Sequence, residues 1–358
     1  MNIFGISALS AVLLMTPAAH GFSAPDNRAK FRETYQAYEA AIADGERSDA
    51  RKHAKLAYEL GKTIFGVQNK NTAALALNYG RLLGGDEAER VLLEALKLHE
   101  DLYGNDAFEL LDPLMDIAAA HTGYGRLGKA RRYYSRALNI ATKHKGKNNR
   151  VVGIINMEIG QVALSEAQSK EAIRYLKHAE KIFETLEGED AEIRLAQTRF
   201  WIGKYRLSDN SEEAAIRSLL SSLETFARVA PDSPMTLTNH AFLVEAYERQ
   251  GKQELATKHC RAIGAAKPLD PDQDYKPVFK KHPNYPPKAG EGFVILAMTV
   301  DENGFVHDPY LVEHEGSERL VRAALDVVTS YRYAPRFENG KPVATKDVKH
   351  RFTFSYAD

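Results

Sequence analysis

The sequence is poor in cysteine, in tryptophan and in net charge. Of its 358 residues, one is cysteine and one is tryptophan. A single cysteine excludes an internal disulfide, and the position of Cys260 inside a helical pattern predicts a buried thiol rather than a reactive one. Lys plus Arg and Asp plus Glu both number 48, so no global field attracts nucleic acid or an anionic membrane. We expect no nucleic-acid partner.

The chain also lacks an apolar run of the length that a membrane span needs, which is about 20 residues. Its short apolar run, NIFGISALSAVLLM at 2–15, is followed by TPAAHGFSA with small residues. This pattern is typical of a secretory signal peptide. We predict a signal peptide over 1–24, cleaved after Gly21 or, as second choice, after Ala18. The alternative is that 1–24 are retained as a short membrane anchor.

What the sequence does contain is an internal repeat of 42 residues. Three columns recur in one frame, which is typical of a repeat architecture. The first column is Ala88, Ala130, Ala172, Ala214 and Ala256. The second is Leu75, Ile117, Ile159, Trp201 and Leu243, and the third is Ala95, Ala137, Ala179, Ser221 and Ile263.

Each repeat has the apolar periodicity of two helices. The segment GKARRYYSRALNIATKHKG at 128–146 places its apolar residues on one helical stripe, and a second stripe precedes it. Alanine at fixed positions lets neighbouring helices approach closely. Each hairpin then leaves an apolar face that the next hairpin covers, which predicts a stacked array.

These units resemble tetratricopeptide (TPR) repeats, because a small residue opens the second helix and Tyr or Phe packs beside it. The usual unit has about 34 residues; the longer unit here is similar to the repeats of kinesin light chains, best at 94–107 and 136–149. The resemblance covers about 26–266 and implies a mostly α fold, a TPR-like α-α superhelix. It also implies a protein partner on the repeat surface, which the sequence does not name.

No constellation typical of catalysis or metal binding is found in the sequence. The histidines at 240, 259 and 282 have no HExxH or other ligand spacing. His121 shares a repeat column with three tyrosines, which predicts a packed position. We therefore expect no catalytic residue, no metal and no cofactor, and the protein is predicted not to be an enzyme.

The composition changes after residue 266. Six prolines fall at 268–287, which predicts a proline-rich linker over 267–282. A strand with two apolar faces follows at 294–300, typical of a central strand. DENG at 301–304 is a hairpin signal, and a second strand is predicted over 305–312. Ser317 is the predicted N-cap of a helix. The last strand, over 343–356, alternates between apolar and polar residues, which predicts one covered face and one solvent face.

This strand-strand-helix-strand order predicts a small α+β domain with an antiparallel sheet over 283–358. Its motifs resemble the C-terminal domain of TonB, over about 283–356. The matching motifs are Tyr285-Pro286, Glu291-Gly292, Asn303-Gly304, Ala323-Ala324-Leu325, Arg332-Tyr333 with Pro335, Gly340, and Phe352 with Phe354.

The resemblance implies a function in the envelope of a Gram-negative cell. TonB proteins couple inner-membrane proton-motive force to outer-membrane transporters, and their C-terminal domain pairs a strand with a segment of the transporter plug, the TonB box. We therefore expect a periplasmic adaptor that binds such a segment and a second protein on its repeats. The alternative is a TonB energy transducer for transmembrane transport, anchored in the inner membrane by 1–24.

The last strand is expected to lie at a sheet edge, where unpaired backbone groups permit strand addition. Charges at Lys349 and Arg351 discourage self-pairing while still permitting a chosen peptide. The predicted partner-binding residues are Asn284, Tyr285, Pro286, Val343, Thr345, Asp347, Lys349 and Arg351.

The adaptor hypothesis predicts a mature protein that begins near Phe22. The physical basis is the short apolar run and the small residues at 19–21. Intact mass of the protein recovered from the periplasm measures this directly. A full-length species in the inner-membrane fraction would instead support the anchored transducer.

Overall fold

The structure is a computed structural model and describes residues 25–266, 275–286 and 289–355. The predicted signal peptide therefore lies outside the described residues, as does the first half of the predicted linker, 267–274. Within the described ranges, no helix combines the length and apolar character that crossing a membrane requires.

Twelve helices of the described chain precede the sheet, and short connections join them. Their bounds are α1 (Pro25–Ala43), α2 (Arg47–Phe65), α3 (Lys70–Leu82), α4 (Gly85–Tyr103), α5 (Leu111–Gly123), α6 (Leu127–Lys145), α7 (Arg150–Ser165), α8 (Ser169–Phe183), α9 (Glu189–Ser208), α10 (Glu212–Val229), α11 (Pro234–Arg249) and α12 (Gln253–Ala266). A 3-10 turn at Phe108–Leu110 leads into α5. The fold is therefore mostly α with TPR-like hairpins, as predicted.

The described residues divide into two compact units, and the division falls between Tyr133 and Tyr134, within α6. In the first unit, α1 packs against α2, α2 against α3, and α3 against α4. In the second unit, α7 packs against α8, and α9 lies between α8 and α10. His121 is 2% exposed in the first unit and stacks on Tyr133, with ring centroids 5.6 Å apart. The prediction that His121 is a packed position is confirmed.

The three repeat columns are buried in four of the five repeats, but the predicted frame is wrong by one residue in the fourth. There Trp201, Ala214 and Ser221 are half-buried. Their following neighbours, Ile202, Ala215 and Ser222, are fully buried instead. In the fifth repeat Leu243, Ala256 and Ile263 are buried, so the predicted frame returns.

The shift has a local cause at the start of α9. Gly104, Gly146 and Gly188 keep the 42-residue spacing and all have positive φ, at 87°, 77° and 99°. The helix after Gly146 begins at Arg150, whereas α9 begins at Glu189, directly after Gly188. The extra residue therefore enters between Gly188 and Ile202, and it moves Trp201 out of the buried column.

The C-terminal part of the second unit is a small α+β domain. Its strands are β1 (Gly292–Val300), β2 (Val306–Glu315), β3 (Arg336–Glu338), β4 (Lys341–Val343) and β5 (Thr345–Phe354), with α13 (Glu318–Val328) after β2. The main sheet has the order β2-β1-β5, with β1 antiparallel to both neighbours. Strands β3 and β4 form a separate hairpin. The prediction that the first strand is central is confirmed.

Local chemistry explains these elements. The carboxylate of Asp301 accepts hydrogen bonds from the backbone N–H groups of Asn303 and Phe305, at 2.9 and 2.8 Å, and fixes the β1–β2 turn. The Ser317 hydroxyl accepts a hydrogen bond from the backbone N–H of Arg319, as predicted for an N-cap. One face of α13 then joins Val294, Leu296 and Phe352 of the sheet in a single core.

The frame shift predicts which alanines tolerate a larger side chain. We expect Ala172→Leu and Ala215→Leu to lower the free energy of unfolding by about 1–3 kcal/mol, because both alanines are fully buried. Ala214→Leu is the matched control and should cost less, since Ala214 is half-buried. Thermal and urea unfolding measure the difference. Equal losses at 214 and 215 would contradict the shifted frame.

Candidate docking edge and its surroundings

Strand β5 is an edge of the main sheet, because β1 lies on one side of it and the sheet order ends there. Its pairing with β1 is regular from Gly292↔Phe354 to Met298↔Val348. The shift in this ladder comes only beyond Met298, where Asp347 has a positive φ of 57°. Along residues 348–354 of β5, the backbone groups of alternate residues therefore point outward in a regular row.

Strand β2 is the opposite edge, and it is interrupted. Its ladder with β1 has two register shifts, between Ile295 and Leu296 and between Ala297 and Thr299. Asp308 has a positive φ of 48°, and Pro309 follows it within the strand. Bulges and proline are the features by which natural sheets prevent an edge from pairing. Of the two edges, β5 is therefore the one suited to an incoming strand.

The two faces of β5 differ as predicted. Val348, Phe352 and Phe354 are buried in the core of the domain. Lys349 and Arg351 are exposed on the other face. The Arg351 guanidinium lies 3.7 Å from the centroid of the Phe293 ring on β1, a cation–π contact that fixes its position.

The two edges differ in the sign of their exposed charges. On β5, Lys346, Lys349 and Arg351 are exposed, whereas β2 exposes acidic residues at 308, 313 and 315. The one acidic residue of β5, Asp347, accepts a hydrogen bond from the Tyr310 hydroxyl at 2.9 Å, and this bond raises the pKa of Tyr310. Three exposed cations on β5 outnumber its single carboxylate, and this positive balance favours an acidic partner segment.

The predicted partner-binding residues do not all lie together. Thr345, Asp347, Lys349 and Arg351 are on β5. Val343 is not, because it belongs to β4 and pairs with Arg336. The expectation that the last strand begins at Val343 was wrong, since the 336–343 segment closes as a short hairpin before β5 starts.

The segment before the sheet lies near the far end of β5. The ring of Tyr285 makes an edge contact with Phe354, with centroids 5.8 Å apart, and its hydroxyl donates a hydrogen bond to the Gly290 carbonyl. Asn284 is exposed and Pro286 half-buried beside it. Strand β5 is about 30 Å long, so Tyr285 and Thr345 mark its opposite ends.

Two histidines that are distant in the sequence meet in the last helical hairpin. The Nδ1 atoms of His240 and His259 lie 2.8 Å apart, and Tyr247 stacks on the His259 ring. One Nδ1 donates and the other accepts, so the contact is lost when both rings are protonated. In the part of the chain that the structure describes, no group of three or more His, Cys, Asp or Glu is arranged to hold a metal ion.

Sequence reasoning also missed Arg332 as a contact residue. Its side chain is 2% exposed and pairs with Glu248 of α11. The sequence YRYAP at 331–335 indicates a buried cation, because it places one charge between two aromatic residues. A buried arginine is rare and needs a partner.

The structure thus shows helical hairpin repeats followed by a small domain with an open, regular strand edge. The family model for the Gram-negative bacterial TonB protein C-terminal domain matches residues 281–356. Those residues form a TonB C-terminal-type domain, after TPR-like repeats. The TonB C-terminal family is associated with the Gram-negative envelope.

Solved structures similar to the helical part are repeat proteins. A putative kinesin light chain with TPR-like repeats from Podospora anserina is 16% identical, covers 55% of this chain and 93% of its own, and has a TM-score of 0.46. BtubC (BKLC) from P. vanneervenii is 17% identical, with coverages of 72% and 99% and a TM-score of 0.47. These likenesses concern the fold alone. No curated protein sequence matches the chain significantly.

The histidine pair predicts a loss of stability in acid. Burial lowers the pKa of His259 to about 4, with His240 and Lys258 lowering it further, whereas an unfolded histidine titrates near 6.5. The unfolded chain therefore binds more protons between these values, and stability falls as pH drops from about 6.5 to 4, by up to about 3 kcal/mol.

Urea unfolding across this pH range, compared with His259→Asn, measures the effect. The variant should show a shallower loss of stability than the parent over the same window. Parallel pH profiles of the two proteins would contradict the assignment.

Proposed function

We propose that this protein is a periplasmic adaptor linked to TonB-type outer-membrane transport. In this proposal an extended segment of an outer-membrane transporter plug, the TonB box, adds as a strand beside β5. A second protein binds the helical repeats. The observation that carries the proposal is the regular, uncovered edge of β5, opposite an interrupted β2 edge.

The chemistry of β5 indicates what the added segment carries. Strand addition draws its affinity from main-chain hydrogen bonds and its selectivity from alternate side chains. The solvent-face positions Lys349 and Arg351 are cationic, so acidic residues at alternate positions of the segment pair best. Tyr285, beside Phe354, offers an aromatic contact at the end of the same edge.

A second function rests on the apolar run at 2–15. If 1–24 are retained as an inner-membrane anchor, the same edge serves an energy transducer for transmembrane transport. The mass of the mature protein distinguishes this transducer from the adaptor. Strand addition beside β5 is common to both functions.

The docking edge is tested with the full chain and fluorescein-labelled synthetic peptides from plug segments. Lys349→Glu should weaken binding of an acidic peptide by roughly 5-fold, because an attractive cross-strand pair becomes repulsive. Arg322→Glu, a charge reversal at an exposed position of α13, is the matched control and should bind as the parent does. Fluorescence anisotropy measures both, and a scrambled peptide of the same composition tests sequence selectivity.

Backbone amide shifts locate the bound peptide. We expect them along β5 and at Tyr285. Shifts confined to α13, with β5 silent, would exclude strand addition at this edge. Equal affinity of the parent and Lys349→Glu would exclude the charge argument.

A further inference from the structure

The side chain of Arg332 leaves its own domain and enters the last helical hairpin. The guanidinium pairs with Glu248 of α11 and donates a hydrogen bond to the Thr257 hydroxyl of α12 at 2.6 Å. It also donates to the Asn303 carbonyl at 3.0 Å and lies 3.7 Å from the centroid of the Phe305 ring. One buried cation thus holds α11, α12 and the β1–β2 turn together.

The residues on either side of Arg332 point the other way. Tyr331 and Tyr333 are fully buried in the core of the C-terminal domain. Tyr331 contacts the rings of His350 and Phe352 on β5, with centroids 5.4 and 5.8 Å apart. This short extended segment therefore alternates between the two bodies, with one side chain in the helices and two in the sheet domain.

The segment that leads into the C-terminal domain also packs against the helices. Phe279 is 9% exposed and belongs to the same apolar cluster as Leu243, Ala256 and Cys260. Its backbone exchanges hydrogen bonds with Arg332, at 3.1 and 2.9 Å. Residues 278 and 279, within the predicted proline-rich linker, are therefore part of the helical core.

A glycine of α12 permits the close approach of the two bodies. A Cβ placed on Gly264 would lie 2.1 Å from the Pro335 carbonyl oxygen and 3.1 Å from the Phe337 ring. Backbone from the segment before β3 thus rests directly on the helix. No side chain larger than hydrogen fits at this position without separating them.

From these contacts we propose that the C-terminal domain is the cap of the helical repeats, and that Arg332 locks it to α11 and α12. The C-terminal domain and the last helical hairpin unfold as one cooperative unit. Repeat arrays need a cap because their last hairpin has no neighbour to cover its apolar face. Here the sheet domain, Phe279 and the paired Arg332 supply that cover. The proposal does not depend on which partner β5 binds.

The single cysteine is a native probe of this contact. Cys260 is fully buried in α12 and shares an apolar cluster with Phe279, and burial raises the pKa of its thiol to about 12. In the full chain, Arg332→Ala should raise the rate of thiol labelling by Ellman's reagent on the order of 100-fold, because it leaves the Glu248 carboxylate buried and unpaired. Arg322→Ala, which removes an exposed arginine of α13, should label at the parent rate.

A glycine pair provides the second test, in which the sign of the effect is informative. Glycine to alanine in a free helix is stabilising, so Gly264→Ala should stabilise α12 if the domain does not dock on it. If the domain docks, the same change separates the two bodies and accelerates Cys260 labelling by at least about tenfold. Gly123→Ala, in α5 with open space around its Cβ position, should leave the labelling rate unchanged.

Hydrogen exchange of the unmodified protein in increasing urea tests the cooperative unit without any variant. Peptides from α12 and from β1 should lose protection at one midpoint with one urea dependence. Two separate midpoints would overturn the proposal, as would parent-like labelling in both Arg332→Ala and Gly264→Ala. If Arg332→Ala unfolds the whole chain by circular dichroism, the glycine pair and the exchange data decide.

Discussion

The buried guanidinium of Arg332 is the interaction on which the arrangement of the second compact unit depends. A cation taken out of water is costly unless every nearby group is aligned with it. Glu248, Thr257, the Asn303 carbonyl and the Phe305 ring meet most of that need, and of the guanidinium nitrogens Nε is the one that donates to no group of the described chain. Replacing a buried ion pair with apolar residues is often neutral in stability, so the value of this pair lies in specificity. A domain displaced by one residue along α12 would leave the charge unpaired.

A second constraint comes from the central position of β1. With β2 on one side and β5 on the other, both outer strands expose backbone groups to solvent. The two edges differ in how they are protected against pairing. Proline, a positive φ at Asp308 and two register shifts interrupt β2. On β5 the protection is reduced to charge, which repels a second copy of the same edge but leaves the ladder geometry intact.

Much of this architecture was predictable because it rests on short-range chemistry. The Asp301 turn, the Ser317 cap and the alternation of β5 each depend on residues within a few positions of one another. The alanine columns were predictable because close packing recurs at a fixed interval. The shift at Trp201 was not, since the 42-residue spacing of the glycines continues through Gly188 and the extra residue enters after it.

The contacts that escaped prediction are those that join distant segments. Arg332 and Glu248 are separated by 84 positions, and nothing local indicates that they meet. The His240–His259 contact was missed as well, because its two residues are 19 positions apart and have no metal-site spacing. The β3–β4 hairpin has three residues in each strand, which is too short for alternation to be read, and Val343 was therefore assigned to the wrong strand.

Docking of the C-terminal domain on the helices constrains the orientation of a partner bound beside β5. Here Val278 and Phe279 pack in the helical core and Tyr331 links Arg332 to β5. A strand added beside β5 would be held at a fixed orientation to α11 and α12. A fixed orientation limits the volume in which the C-terminal domain can meet its partner. It also lowers the entropy lost when a second protein binds the same end of the repeats.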